Sequence, residues 1–230
     1  MVKYGKKYRA VKELLEKDKE YDLAEAIAFI LGNKLAKFDE SVEVHVKLNI
    51  NPKKTNEQVR ATVVLPNGTG RSKKVAVVTT DKAKEAKDAG AILVGGEEIV
   101  TGIKEGKINP GADFDILLAT PEMMPKLAIV AKILGPKGLM PSPKNETVTA
   151  KIGEAVEMLS KGKKASFKSD DGGNVHQMIG KGSFSAEALA ENYGVFIDTL
   201  ARLKPDGLKG RLIRTITLTS TMGPGLKIKA

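Results

Sequence analysis

The feature that most constrains this chain is a change of hydropathy period that happens twice. From Val42 to Ile50, apolar Val42, Val44, Val46, Leu48 and Ile50 alternate strictly with Glu43, His45, Lys47 and Asn49. Successive residues of a strand face opposite sides, so this stretch reads as a half-buried strand with one polar face. After Pro66-Asn67-Gly68-Thr69-Gly70 the pattern is different. Short, continuously apolar runs at Val75–Thr80, 91–94 and Phe114–Ala119 are separated by helical stretches at Asp81–Asp88, Glu97–Glu105 and Pro121–Leu134. Buried strands alternating with helices describe an α/β unit with a mainly parallel sheet. After about residue 159 the alternating pattern returns, in 165–168, 175–178 and the last strand. The simplest account is an α+β outer domain built from both chain ends (1–67 plus 160–230), with a three-layer α/β domain inserted at 68–159.

Local signals fill in this outline. Asp22 followed by Glu25 reads as a capping box before the apolar positions Leu23, Ile27, Ile30, Leu31 and Leu35. Asn51-Pro52-Lys53-Lys54 reads as a turn joining the first strand to a second through Val59, Ala61, Val63 and Leu65, which predicts a hairpin. Ser185 begins a helix whose apolar stripe is Leu189, Tyr193, Phe196, Leu200 and Leu203, with Phe184 and Leu189 placed as a hydrophobic staple.

Composition excludes several function classes. There is no cysteine, so no disulfide and no thiolate chemistry, and only His45 and His176 are histidines. No apolar run approaches membrane-spanning length, and the basic amino end lacks the apolar stretch of a signal peptide. A soluble cytoplasmic protein is expected. The formal charge is +10. Residues 1–67 hold 13 Lys/Arg and 10 Asp/Glu, residues 68–159 hold 13 and 12, and residues 160–230 hold 12 and 6. The excess therefore lies in the outer pieces, and a basic surface attracts polyanions, nucleic acid foremost. Gly95-Gly96-Glu97 does not fit the dinucleotide fingerprint. The loop Gly135–Lys144 lacks the Gly-Lys-Ser/Thr that opens a helix in a phosphate loop. No carboxylate pair stands out as an acid–base or metal constellation. No enzyme, cofactor, catalytic residue or metal site is expected, and a small nucleotide-dependent enzyme is the rival reading.

Two stretches carry candidate contacts. Thr215, Thr217, Thr219 and Thr221 fall two apart, making a hydroxyl face opposite Ile216 and Leu218. Such a face suits hydrogen bonding to a sugar-phosphate backbone, although threonine also simply favours strands. Phe38 stands between charges in Lys37-Phe38-Asp39-Glu40, where it is either a core plug or a ring offered to a base.

Six strings in order give a resemblance. They are Lys3-Tyr4-Gly5-Lys6-Lys7-Tyr8-Arg9, Lys37-Phe38-Asp39-Glu40-Ser41-Val42-Glu43, Gly95-Gly96-Glu97-Glu98, Gly135-Pro136-Lys137-Gly138-Leu139-Met140-Pro141, Gly180-Lys181-Gly182-Ser183-Phe184 and Thr221-Met222-Gly223-Pro224. Together they resemble the family of bacterial large-subunit ribosomal protein number one, the protein of the mobile stalk beside the tRNA exit site. The resemblance covers nearly the whole chain and implies the same inserted-domain arrangement. It implies that Lys37 meets a phosphate, that Phe38 packs on a sugar-base edge, and that Ser41 and Glu43 bond ribose 2′-hydroxyls. It makes Thr221, Met222 and Gly223 an RNA-contact motif, beside Thr215, Thr217 and Thr219 of the hydroxyl face. Apart from the resemblance, Lys168 and His176 on the strands before the last helix are weaker candidates, and His176 equally suits a satisfied structural histidine. The implied partners are the stalk region of large-subunit rRNA, the protein's own mRNA through a similar element, and exit-site tRNA. Away from the ribosome a monomer, with no membrane association, is implied.

Overall fold

The computed structural model describes residues 4–16, 19–52, 54, 57–145, 147–205, 208 and 210–229. Lys3 of the amino-terminal string and Lys53 of the predicted turn lie outside the described residues. In chain order the elements are α1 (Lys6–Glu13), α2 (Leu23–Gly32), β1 (Ser41–Leu48), β2 (Arg60–Val64), β3 (Val75–Val78), α3 (Ala83–Asp88), β4 (Leu93–Gly95), α4 (Glu97–Lys104) and β5 (Ile116–Ala119). There follow α5 (Met124–Leu127), α6 (Ala131–Leu134), α7 (Ile152–Ser160), β6 (Lys164–Lys168), β7 (Asn174–Lys181), α8 (Ala186–Arg202), β8 (Ile213–Ser220) and β9 (Leu226–Ile228). The chain divides into two compact units, Met1–Gly70 with Ala165–Ala230, and Arg71–Lys164. Among the described residues no helix is long and apolar enough to cross a membrane.

The unit made from both ends is a sheet packed with helices. Its strands run β7-β1-β8-β9, and every neighbouring pair is antiparallel. Along β1 burial alternates as the sequence predicts: Val42, Val44 and Val46 are wholly buried and Leu48 nearly so. They meet Ile27 and Ile30 of α2 and Leu189, Phe196 and Leu200 of α8 in one core. The predicted capping box does not form. Asp22 occupies the N-cap position of α2 but makes no capping bond, and its Oδ1 instead pairs with Lys229 Nζ at 2.9 Å. Ser185 does cap α8, accepting from Ala188 N.

The predicted hairpin is corrected. β2 pairs with β6 in a separate two-stranded sheet, not with β1. Both edges of β1 are already hydrogen-bonded, to β7 on one side and β8 on the other, so no edge remains for β2. Val59, Val63 and Leu65 are nonetheless buried, as their alternation requires.

An irregularity in the β1–β7 ladder frees a backbone group. The β1–β7 register passes from Val42 opposite Gly180 to Glu43 opposite Met178, which leaves Ile179 as an extra residue. Such a bulge leaves a backbone group outside the ladder, and here the Ile179 carbonyl accepts from Asn192 Nδ2 at 2.7 Å. Asn192 is fully buried on α8. It also donates to Gly68 O (2.9 Å) and accepts from Asn67 N (3.2 Å), where the chain leaves this unit. Gly180 follows the bulge because space is short: a Cβ there would lie 2.6 Å from Leu189 Cδ2 and 2.9 Å from Phe184 Cδ2.

The unit Arg71–Lys164 has three layers about a parallel sheet in the order β4-β3-β5. All four β3 residues are buried because both faces are covered. Ala76, Val78 and Leu117 pack against α4 and the segment from Met123 to Leu134, while Val75, Val77 and Leu118 pack against Ala86 of α3 and Ile152, Val156 and Leu159 of α7. The single helix expected over Pro121–Leu134 is instead broken into α5, α6 and three-residue 3-10 turns. Pro125, which has no N–H to give, sits inside that run. The loop after it is structural in part, with Leu139 and Met140 packed on the core.

Asn192→Leu keeps the side chain's size but strips three backbone groups of their partner. It is expected to destabilise the outer unit by about 2–3 kcal/mol, read as a lower unfolding midpoint in urea, whereas Glu191→Leu on the exposed side of the helix should cost far less.

Candidate nucleic-acid interface

The register of the sheet assembles a polar face. On β1 and β8, Glu43 stands opposite Thr219, His45 opposite Thr217 and Lys47 opposite Thr215. On the other flank Met178, His176 and Asn174 of β7 complete the same three rows, and Lys227 of β9 lies opposite Thr217. Ile216 and Leu218 point into the core. At one end of this face three stretches distant in sequence converge: the loop 33–40, the turn 181–183 and the turn after β8.

Buried Glu40 holds that end together. Its Oε1 accepts from the backbone N–H groups of Leu35 (3.0 Å) and Ala36 (2.6 Å), and the Ser220 hydroxyl and Met222 N–H are directed at the same carboxylate. Within strict hydrogen-bond geometry Oε2 has no partner among the described residues. Burial alone would raise the Glu40 pKa; these donors outweigh it and hold the group below its ordinary value. Glu40 thus contributes stability above the ordinary carboxylate range, and that contribution fades as the pH falls through its lowered pKa. The turn 181–183 is tied in as well. Gly182 N donates to Glu40 O at 2.7 Å, Ser183 Oγ donates to Asp39 Oδ2 at 2.9 Å and Lys181 Nζ donates to Ser41 Oγ at 3.1 Å.

On this frame Phe38 is 57% exposed and Met222 is 55% exposed. Phe38 is therefore not a core plug. Lys37 is exposed beside it. Gly223 is required by a close approach within its own turn, since a Cβ there would lie 2.5 Å from Ser220 Oγ.

The threonines are not equivalent, and this corrects the picture of one uniform row of hydroxyls. Thr221 lies past the end of β8. Its Oγ1 accepts from Ser41 N (2.9 Å) and donates to Ser41 O (3.3 Å), locking the turn to β1. Thr219 Oγ1 donates inward, nearest to Ser220 O at 2.9 Å. Thr215 and Thr217 have no such protein bonds among the described residues. Lys168 is exposed but belongs to β6, in the other sheet, and is not on this face.

At the centre of the face, His45 Nδ1 and His176 Nδ1 stand 2.7 Å apart. One must donate and the other accept. His176 Nε2 lies 3.4 Å from Asp170 Oδ2, which suits an Nε2–H on His176 and an Nδ1–H on His45. Asp170 is held down to about 2, chiefly by hydrogen bonds from the backbone and side chain of Asn174. Burial, and then the neighbouring His176, lower the pKa of His45, with Glu43 opposing. At neutral pH His45 is thus favoured as a neutral hydrogen-bonding ring, close to the ionised Asp170 carboxylate that His176 faces. Among the described residues there is no group of three or more His, Cys, Asp and Glu able to hold a metal.

Residues 30–224 match the model of the ribosomal protein L1p/L10e family. The chain is 47% identical over 229 residues to the large ribosomal subunit protein uL1 of Mesoplasma florum, covering 100% of this chain and 99% of the relative. It is 47% identical to the uL1 protein of Mycoplasma capricolum, covering 100% of each. It is also 47% identical to the uL1 protein of a Synechococcus species, covering 99% of this chain and 95% of the relative. The chain belongs to the ribosomal protein L1p/L10e family. The family is structural, so the chain is not an enzyme and the nucleotide-dependent rival is excluded.

Within this L1-family chain, residue-by-residue reading missed Lys47, His45, Asn174, Met178 and Lys181, which share the face or its end. The alternation of β1 already marked Glu43, His45 and Lys47 as one polar side. What it lacked was the knowledge of which strands lie beside it.

The lowered pKa of His45 makes a prediction with a definite sign. The unfolded chain takes up the His45 proton at higher pH than the folded one does. This residue therefore erodes stability as the pH falls below the ordinary histidine value. Ring titration by NMR should place His45 below its ordinary pKa. His176→Gln should restore it only in part, because burial, the larger cause, remains.

Proposed function

We propose that the chain is a constituent of the large ribosomal subunit, working on the ribosome in the cytoplasm, and that it binds the stalk region of large-subunit rRNA. The binding domain of this reading is residues 1–67 with 160–230, and 68–159 is the inserted domain. One observation carries it: Lys37–Glu43, Gly180–Phe184 and Thr221–Gly223, three separated stretches that resemble the family's, converge at one end of a polar sheet face. Two of their members, the ring of Phe38 and the side chain of Met222, are exposed there. Exposed rings stack on unpaired bases, and hydroxyl and carboxylate acceptors suit ribose 2′-hydroxyls, which DNA lacks. Lys37 supplies a phosphate contact. Thr215 and Thr217 offer unspent hydroxyls. Ser41, Glu43 and His176 supply further hydrogen-bonding groups, with Lys168 a more distant phosphate contact. The uL1 relatives are named as large ribosomal subunit proteins, which supports the ribosomal part of the reading. Assisting the release of deacylated tRNA from the exit site, and repressing translation through its own mRNA by the same surface, complete the proposal for a chain that is monomeric off the ribosome.

The two kinds of threonine separate this reading from mere strand preference. Thr217→Val keeps the branched shape and removes a hydroxyl with no protein partner, so it should leave the unfolding midpoint unchanged and weaken binding to an rRNA transcript about tenfold, roughly 1.4 kcal/mol. Thr221→Val should lower both binding and stability, because it also breaks the bridge to Ser41. Parent-like binding by Thr217→Val and by Phe38→Ala would move the RNA off this face.

Lys37→Ala should reduce the salt slope of binding by about one, whereas Thr217→Val should leave the slope intact. A DNA transcript analogue of the same sequence should bind more weakly than the RNA at one salt concentration. Equal binding would show charge acting alone.

A further inference from the structure

Beside the polar face lies a groove to which no RNA contact has been assigned above. One wall is α1 and the other is the turn and strand from Pro224 to Lys227, with Tyr21 in the lining. α1 is eight residues long and carries four cations, Lys6, Lys7, Arg9 and Lys12, against one anion, Glu13. None of its residues is buried. A helix of this length has little stability alone, and helices ordinarily hold on by burying an apolar stripe. This one presents charge and one aromatic ring, Tyr8, with Tyr4 just before it. Tyr4 stacks on Tyr8 with centroids 4.7 Å apart, and Lys12 Nζ sits 5.2 Å from the Tyr4 ring. Tyr8 and Tyr21 line the groove half-buried, each showing part of a ring. Arg9, Lys12, Lys19 and Lys227 face Glu13 and Glu16 there, and Glu16 is occupied by Lys19 at 3.1 Å. The balance is basic.

The groove is continuous with the polar face. Lys227 lines the groove and stands opposite Thr217 in the β8–β9 ladder. Pro224 follows directly on Thr221-Met222-Gly223. An RNA strand crossing the threonine rows toward β9 would therefore enter it.

We propose that the groove between α1 and Pro224–Lys227 is a second RNA-contact surface. It would take the phosphate backbone of the strand leaving the polar face on Arg9 and Lys12, and an unstacked base against Tyr8. The inference rests on the RNA-binding reading above. Cations beside partly exposed rings are the pairing that single-stranded RNA requires: charge for phosphate, a flat face for a base. A covering RNA would also supply α1 with the burial it lacks.

The test uses the full chain and an in vitro transcript of the large-subunit rRNA. Arg9→Gln/Lys12→Gln keeps good helix formers while removing two charges. It should weaken binding about tenfold at low salt and lower the salt slope by about two. A thiouridine-substituted transcript should photocrosslink to the tryptic peptide holding Tyr8 in the unaltered chain. That second arm decides the matter if the double variant loses α1 by circular dichroism. Parent-like affinity and slope in the double variant, or no crosslink at that peptide, overturns the groove. If Lys37→Ala still loses slope in that case, the polar face stands and only the groove falls. If Lys37→Ala also binds like the parent, the underlying RNA reading falls with it.

Discussion

β1 is hydrogen-bonded along both edges by strands that arrive only after the chain has left to build another unit and returned. His45 stands between His176 and Thr217, and Val44 between Gln177 and Leu218. The core, the polar face and the convergence of loops all depend on this double pairing. Its register is held by burial. Slipping β1 by one residue would expose Val42, Val44, Val46 and Leu48 and bury Glu43, His45 and Lys47. Each such apolar side chain is worth about 1.5–3 kcal/mol buried, and buried unpaired charges would add to the loss. The register that makes the core therefore also makes the face.

Two polar groups finish what the ladders leave open. Asn192 satisfies the carbonyl freed at the Ile179 bulge and ties it to the exit at Asn67 and Gly68. Glu40 gathers the N–H groups of the 35–36 loop with the turn after β8. With those segments fixed, Phe38 and Met222 can stay exposed without the loops collapsing onto them. The hydroxyl of Thr221 belongs to the same frame, because it holds the turn to Ser41. In this chain a residue of the matched Thr-Met-Gly string thus supports the surface as well as belonging to it.

The parallel unit follows a different logic. Its strands are apolar throughout because helices cover both faces, and alternate residues of β3 serve different cores: Ala76 and Val78 one, Val75 and Val77 the other. That continuity of apolar residues, against the strict alternation of β1, is what made two kinds of sheet legible from composition along the chain.

The sequence by itself determined the two kinds of sheet, the inserted arrangement of the fold class, the α8 start at Ser185 and the polar side of β1, because these depend on local period and capping. It also carried six family strings, enough for a resemblance that the family match shows. It was silent on α1, which buries no residue, and on β9, which is three residues long; α7 also went unread, although Ile152, Val156 and Leu159 fall at helical spacing. It misled on the hairpin, since strand pairing is a contest for edges and β7 and β8 hold both edges of β1. It misled on the Asp22 cap, because Lys229, more than two hundred residues away, offers that carboxylate a charged partner. Only the tertiary structure decided that Phe38 is exposed, that His45 meets His176, and that Thr219 and Thr221 spend their hydroxyls on the backbone while Thr215 and Thr217 do not. Those outcomes depend on contacts between residues far apart along the chain, and no local pattern records them.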